Sequence, residues 1–167
     1  NRILVAPSWG ENSILNQCGE DVIKSLLDQG FKVTVRPHPM TRRKDSALLD
    51  QIKSTFSGNE NFTLETHINN TDSLFESSVM IADYSGTTFE YSFGLLKPVV
   101  FLDLKEKCNN PNYKLLDIEP IEKGLRESLG KLVSKDNVQN LGSVVKDLLK
   151  ENKVDASYLE KLRDQYV

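Results

Sequence analysis

Short, almost unbroken apolar segments recur along the first two thirds of this chain, and helical periodicity fills the intervals between them. Arg2 to Ala6, Phe31 to Arg36, Phe62 to Glu65, Val79 to Ala82 and Pro98 to Leu102 each read as a strand. Segments such as Val79-Met80-Ile81-Ala82 have no polar face, so they must be covered on both sides. Strands of that kind, separated by helices, restrict the chain to an α/β fold with a doubly wound parallel sheet. The first helix centres on Val22, Ile23, Leu26 and Leu27 and stops at Gly30. A second is expected over Asp45 to Phe56, a short one near Asp72 to Glu76, and another from the turn after the fourth strand to Leu95. Beyond a turn-rich stretch, with an edge strand expected at Tyr113 to Ile118, helices are expected over Ile121 to Val133, Val138 to Glu151 and Asp155 to Tyr166.

At 167 residues with 38% hydrophobic content the chain fits one domain with a substantial core. The expected division is residues 1–150 as the principal domain and 151–167 as a helical tail, which packs on a partner domain or shields an edge of the sheet. The opening at Asn1, directly into a strand, suggests a piece of a longer protein. With 21 basic and 24 acidic residues and a net charge of −3, the composition lacks the electrostatic footprint of a nucleic-acid binder. No apolar run reaches the roughly 20 residues a membrane helix needs. Cys18 and Cys108 have no metal-ligand spacing and read as free thiols, which suits a reducing cytoplasm.

The chemistry concentrates in two places. Asp83-Tyr84-Ser85-Gly86-Thr87-Thr88-Phe89-Glu90 joins the fourth strand to a helix. A turn of this kind aims unpaired backbone N–H groups and the positive end of a helix dipole at one point, where a phosphate can be held. Gly86 admits a ligand close to the backbone, and Ser85, Thr87 and Thr88 offer hydroxyls. The plainer reading is a capping box between Thr87 and Glu90, which needs no ligand. Asp83 is expected to orient the turn by accepting its N–H groups. The second place is Arg36-Pro37-His38-Pro39, where two prolines stiffen the loop that carries an imidazole. Open parallel sheets bind ligands outside the carboxyl ends of their strands, so the loops 8–12, 37–43 and 85–88 should share one rim. Trp9 reads equally as a cleft residue or as core. Arg42 and Arg43 are weaker candidates for phosphate contact, and His67 belongs at the sheet's edge.

Taken in order and spacing, Leu4-Val5-Ala6-Pro7-Ser8-Trp9, Arg36-Pro37-His38-Pro39, Asp83 to Tyr91 and Lys97-Pro98-Val99-Val100-Phe101 resemble the C-terminal domain of the CDP-glycerol glycerophosphotransferase family, the teichoic-acid polymerase type. The resemblance covers roughly the first 105 residues. More distantly the chain is similar to the nucleotide-binding half of UDP-N-acetylglucosamine 2-epimerases and related transferases. The resemblance implies one Rossmann-like half of a GT-B architecture, with the acceptor domain outside this chain. It implies a catalytic role for His38, diphosphate contacts from Ser85 and Thr87, and ribose contacts from Glu90; Ser8, Arg36, Gly86 and Thr88, candidates from their place on the rim, are expected to contact the donor beside them. The partners it implies are a nucleotide-activated donor and a polyol or saccharide acceptor, lipid-linked in the family, reached from the cytoplasmic face of the membrane. No cofactor is expected, and no metal, since the sequence has no Asp-x-Asp pair beside the phosphate turn. Two readings of other kinds stand beside this one. A nucleotide-binding module without chemistry is the first; a receiver-type signalling domain is disfavoured because the first strand does not end in an acidic cluster.

Overall fold

The computed structural model describes residues 1–65, 67, 71–105 and 124–166 of the protein. Among them six strands form one sheet: β1 (Arg2–Val5), β2 (Lys32–Val35), β3 (Phe62–Leu64), β4 (Val79–Ala82), β5 (Val99–Asp103) and β6 (Gly130–Ser134). All adjacent pairs are parallel and the order is β3-β2-β1-β4-β5-β6. The chain therefore winds outward from β1 in one direction, returns, and winds outward from β4 in the other. Between β1 and β4, which pair in the register Ile3↔Val79 to Val5↔Ile81, consecutive connections leave toward opposite faces, the place where open parallel sheets form a ligand crevice outside their carboxyl ends.

The pleat divides the core in two. Ile3, Val5, Val33, Val35, Val79, Ile81, Val100 and Leu102 project to one face. There they meet α1 (Ile14–Asp28), α3 (Ser46–Phe56) and α7 (Leu141–Glu151). Leu4, Met80, Ala82, Val99 and Phe101 project to the other, under α5 (Thr87–Leu95), α6 (Arg126–Leu129) and α8 (Ala156–Tyr166). Both clusters are closed to water because the central strands β1, β4 and β5 carry apolar residues at odd and even positions, as the unbroken segments require. Two smaller helices, α2 (Pro39–Lys44) and α4 (Asp72–Glu76), and a 3-10 segment (Lys135–Asn140) complete the described elements. Leu159 and Leu162 of α8 are buried beside Tyr91 of α5. The tail is thus part of the second face of the sheet rather than a cover for its edge.

The expected helix over Ile121 to Val133 is corrected. In its described part Gly124 and Arg126–Leu129 are helical, with a turn at Leu125 between them, and Gly130-Lys131-Leu132-Val133-Ser134 is the sixth strand. Gly130 permits it, because a Cβ there would lie 1.8 Å from the Val99 carbonyl oxygen, a distance no other residue tolerates. A similar approach occurs at Gly142, whose N–H donates to Ser25 Oγ at 3.0 Å, so that α7 seats directly on α1. The loop after β2 also differs from expectation, since residues 39–44 form α2 ahead of the predicted helix. The edge strand expected at Tyr113 to Ile118 and the second thiol, Cys108, lie outside the described residues.

Candidate functional site

β4 ends at the crevice, and the residue that follows it organises the rim. Asp83 is 2% exposed, yet both carboxylate oxygens are occupied by loops distant in sequence. Oδ1 accepts the Ser8 N–H at 2.7 Å and Oδ2 accepts the Ile14 N–H at 2.8 Å. Ile14 is the first residue of α1, and Ser13 before it makes no side-chain cap. Asp83 therefore caps α1 from across the sheet, a charge-assisted arrangement that also satisfies the positive end of that helix. The expectation that Asp83 orients its own turn is corrected: strand order brings β4 beside β1, and the loop after β1 offers the amides.

The α5 terminus is arranged differently. Gly86 is its N-cap, in the right-handed helical region, without a side-chain cap. Thr88 N and Phe89 N close tight turns on Ser85 O and Gly86 O at 3.2 and 3.1 Å. The amides of Gly86 and Thr87 have no partner among the described residues. The capping box is not made, because Thr87 is already helical and Glu90, exposed in the first turn, forms no bond to it. Thr88 is corrected as a ligand donor: it is buried, and its hydroxyl donates to Ser85 O at 2.8 Å. Ser85 and Thr87 remain partly exposed at the turn. A Cβ on Gly86 would meet no atom within 4 Å, and its φ of −61° suits any residue. Nothing among the described residues calls for glycine there, and Gly86 is exposed.

His38 stands on the same rim. It is the N-cap of α2, and its Nδ1 accepts the Met40 N–H at 3.0 Å. That bond needs an unprotonated Nδ1, so a hydrogen the neutral ring donates comes from Nε2. The ring lies 6.3 Å from the Trp9 ring, centroid to centroid, and Lys44 Nζ is 5.0 Å from the Trp9 centroid. Trp9 is thus a residue of the rim rather than core. Ser8 is buried, and its amide ties this loop to Asp83. Contacts that join the loops after β1, β2 and β4 include the His38–Trp9 ring pair and the Ser8–Asp83 bond.

Arg36 lies lower on the β2 side and is engaged in an ion pair. Its Nη1 is 3.0 Å from Glu65 Oε2, an oxygen that also accepts from Ser73 Oγ at 2.9 Å. Arg42 donates to the Glu65 carbonyl oxygen. These bonds knit the ends of β2 and β3 to α4. His67 is exposed just beyond β3, the edge strand.

Reading the sequence missed Arg126, in the first turn of α6. It is 5% exposed and reaches the carboxyl ends of β4 and β5. Nη2 donates to Leu102 O at 3.0 Å, and Nη1 lies 3.6 Å from the Asp103 carboxylate. The guanidinium carbon is 4.4 Å from the Tyr84 ring centroid and 5.0 Å from that of Phe101. A cue for it was present only as one cation in a predicted helix, indistinguishable from a solvated arginine.

Fold and rim together define a Rossmann-like doubly wound domain of the kind that forms one half of a GT-B architecture. Among solved structures it is similar to the UDP-GlcNAc 2-epimerase of Methanocaldococcus jannaschii, crystallised with UDP-GlcNAc and UDP, with a TM-score of 0.51 and 16% identity. The match covers 96% of this chain and 43% of that one, so this chain spans less than half of the enzyme's length. No family model matches the sequence, and no curated protein does.

Proposed function

We propose that this chain is the donor-binding half of a GT-B transferase, holding the diphosphate of a nucleotide-activated donor at the Ser85–Thr87 turn. The observation that carries the proposal is the contrast at the crevice: the α1 terminus is sealed by Asp83, whereas the Gly86 and Thr87 amides at the α5 terminus have no partner among the described residues. A diphosphate there accepts those amides, with Ser85 and Thr87 hydroxyls beside them. His38 donates from Nε2 toward the departing phosphate, and Glu90 faces the ribose. An acceptor hydroxyl attacks the β-phosphorus of CDP-glycerol, the new P–O bond forming as the P–O bond to CMP breaks; CMP leaves with the added negative charge, and the hydroxyl proton passes to a base on the acceptor side. Preorganised N–H donors aimed at such charge lower a barrier by about 3 kcal/mol each.

Resemblance in the motifs supports CDP-glycerol as donor and a cell-surface polymer as acceptor. The structural likeness supports a second reading, a nucleotide-sugar enzyme of the UDP-GlcNAc kind, to which Glu90 is also suited. In either case the acceptor side belongs to a domain outside this chain, so the chain by itself binds a nucleotide without turnover. Calorimetric titration with CDP, UDP, CDP-glycerol and UDP-GlcNAc tests the proposal. Tighter binding of CDP-glycerol than of UDP-GlcNAc favours the glycerophosphotransferase, and the reverse favours the sugar enzyme. Absence of binding by every one of these ligands removes the proposal.

A further inference from the structure

We propose that Arg126 is a positioning residue for the anion seat, acting through Tyr84 to hold the Ser85–Thr87 turn in its phosphate-accepting shape; this rests on the reading of that turn given above. A guanidinium that is 5% exposed carries a desolvation cost that a purely apolar side chain at the same place would avoid. Among the described residues its compensation is incomplete: it has one carbonyl acceptor, Leu102 O, and one carboxylate at 3.6 Å, Asp103, which is half exposed, and its buried Nε has no hydrogen-bond partner.

What the group does make is a stack on two rings, Tyr84 at 4.4 Å and Phe101 at 5.0 Å. Phe101 belongs to β5 and is rigid in the sheet. Tyr84 is the residue between the Asp83 clamp and Ser85. The cation therefore holds Tyr84, the residue that leads into the Ser85–Thr87 turn, against β5, on the sheet face on which α5 packs. Lysine has no plane to lay on the rings and does not replace it.

The test uses the 167-residue chain with Arg126→Met, Arg126→Lys and Tyr84→Leu, titrated with UDP and, by competition, with uridine. Thermal melting of each variant is recorded in parallel. Arg126→Met and Tyr84→Leu are expected to weaken UDP at least tenfold while uridine changes less than twofold, and Arg126→Lys is expected to recover less than half of the loss. Equal losses for UDP and uridine would overturn the proposal, because they mark a general structural role. So would wild-type affinity for UDP in either Arg126→Met or Tyr84→Leu. Should Arg126→Met fail to fold, Tyr84→Leu and Arg126→Lys decide by the same criteria. If the unaltered chain binds no UDP, CDP or inorganic pyrophosphate, the reading of the turn itself has failed, an outcome distinct from unaltered selectivity in the variants.

Discussion

Two helices, α1 and α5, begin at the same crevice, and each begins with amides that its own turns cannot satisfy. At α1 the protein supplies the missing acceptor itself, with Asp83 reaching from β4 to Ile14 N and Ser8 N. At α5 the described residues supply none to Gly86 and Thr87, although Ser85, Thr87 and Glu90 lie in or beside that turn. The difference separates two roles that a helix terminus can take. A carboxylate fixed at a terminus excludes a second anion by repulsion and turns the helix into scaffold. A terminus left to solvent at a point where strand order reverses is a place for a ligand's charge. In this protein the first arrangement holds the wall of the crevice against which the second can work.

The comparison breaks most directly at Asp83. Asp83→Ala leaves two buried amides without acceptors and is expected to lower stability by about 3–5 kcal/mol, measured by urea unfolding. A loss under 1 kcal/mol would mean that α1 does not depend on this cap. Gly86→Ala addresses the open terminus. Its backbone suits alanine and no atom is near, so stability should hold or rise by up to about 1 kcal/mol. Affinity for a nucleoside diphosphate should fall about tenfold, close to 1.4 kcal/mol, if the ligand approaches that backbone. Unchanged affinity would place the anion elsewhere.

His38→Asn sharpens the contrast further. Asparagine is a good N-cap, so α2 should keep its Met40 bond and stability should change by less than about 0.5 kcal/mol. The imidazole N–H is gone, and binding of a diphosphate should weaken severalfold in calorimetry. Equal binding would leave His38 as a cap and nothing more.

The remaining effect is absent at neutral pH and appears only in alkali. Burial pushes the Cys18 thiol, inside α1, from 9.0 to about 11, with the negative charges of Asp21 and Asp83 adding to the rise against Lys135. The folded thiol holds its proton more tightly than the unfolded one. Its contribution is therefore complete below pH 9 and is lost as pH rises through about 11. Tyr91, raised by burial from 10.0 to about 12, acts in the same direction between those values. Unfolding free energy measured against pH should be level to about 9 and then decline. In Cys18→Ala the decline should start about one unit later. An identical onset would show that the thiol takes no part.

Much of the fold was legible because burial on both sides of a strand is written locally. Val79-Met80-Ile81-Ala82 has no polar face, and β4 occupies those four residues; α4 over Asp72–Glu76 and the end of α5 at Leu95 also fall where the pattern put them. Gly130 to Ser134 was not legible as a strand. Its apolar spacing continues that of the helix before it, and the need for glycine arises only from Val99 across the sheet. At the rim, the turn at 85–88 and the imidazole at 38 could be picked out by their residue types. The engagement of Arg36 with Glu65 could not, since a cation in a loop carries no mark of its partner.

By itself the sequence determined a doubly wound parallel sheet, the turn with glycine and hydroxyls after the fourth strand, and the stiff histidine loop after the second. These rest on periodicity and backbone preference, which act over a few residues. Only the tertiary structure decided which of the two helix termini is closed. Asp83 meets amides 75 and 69 positions away because β4 lies beside β1 in the sheet, and strand order is set by the packing of the whole chain. The burial of Arg126 between Tyr84 and Phe101 was decided in the same way. A side chain's type limits the bonds it can make, and the fold selects which of them are within reach.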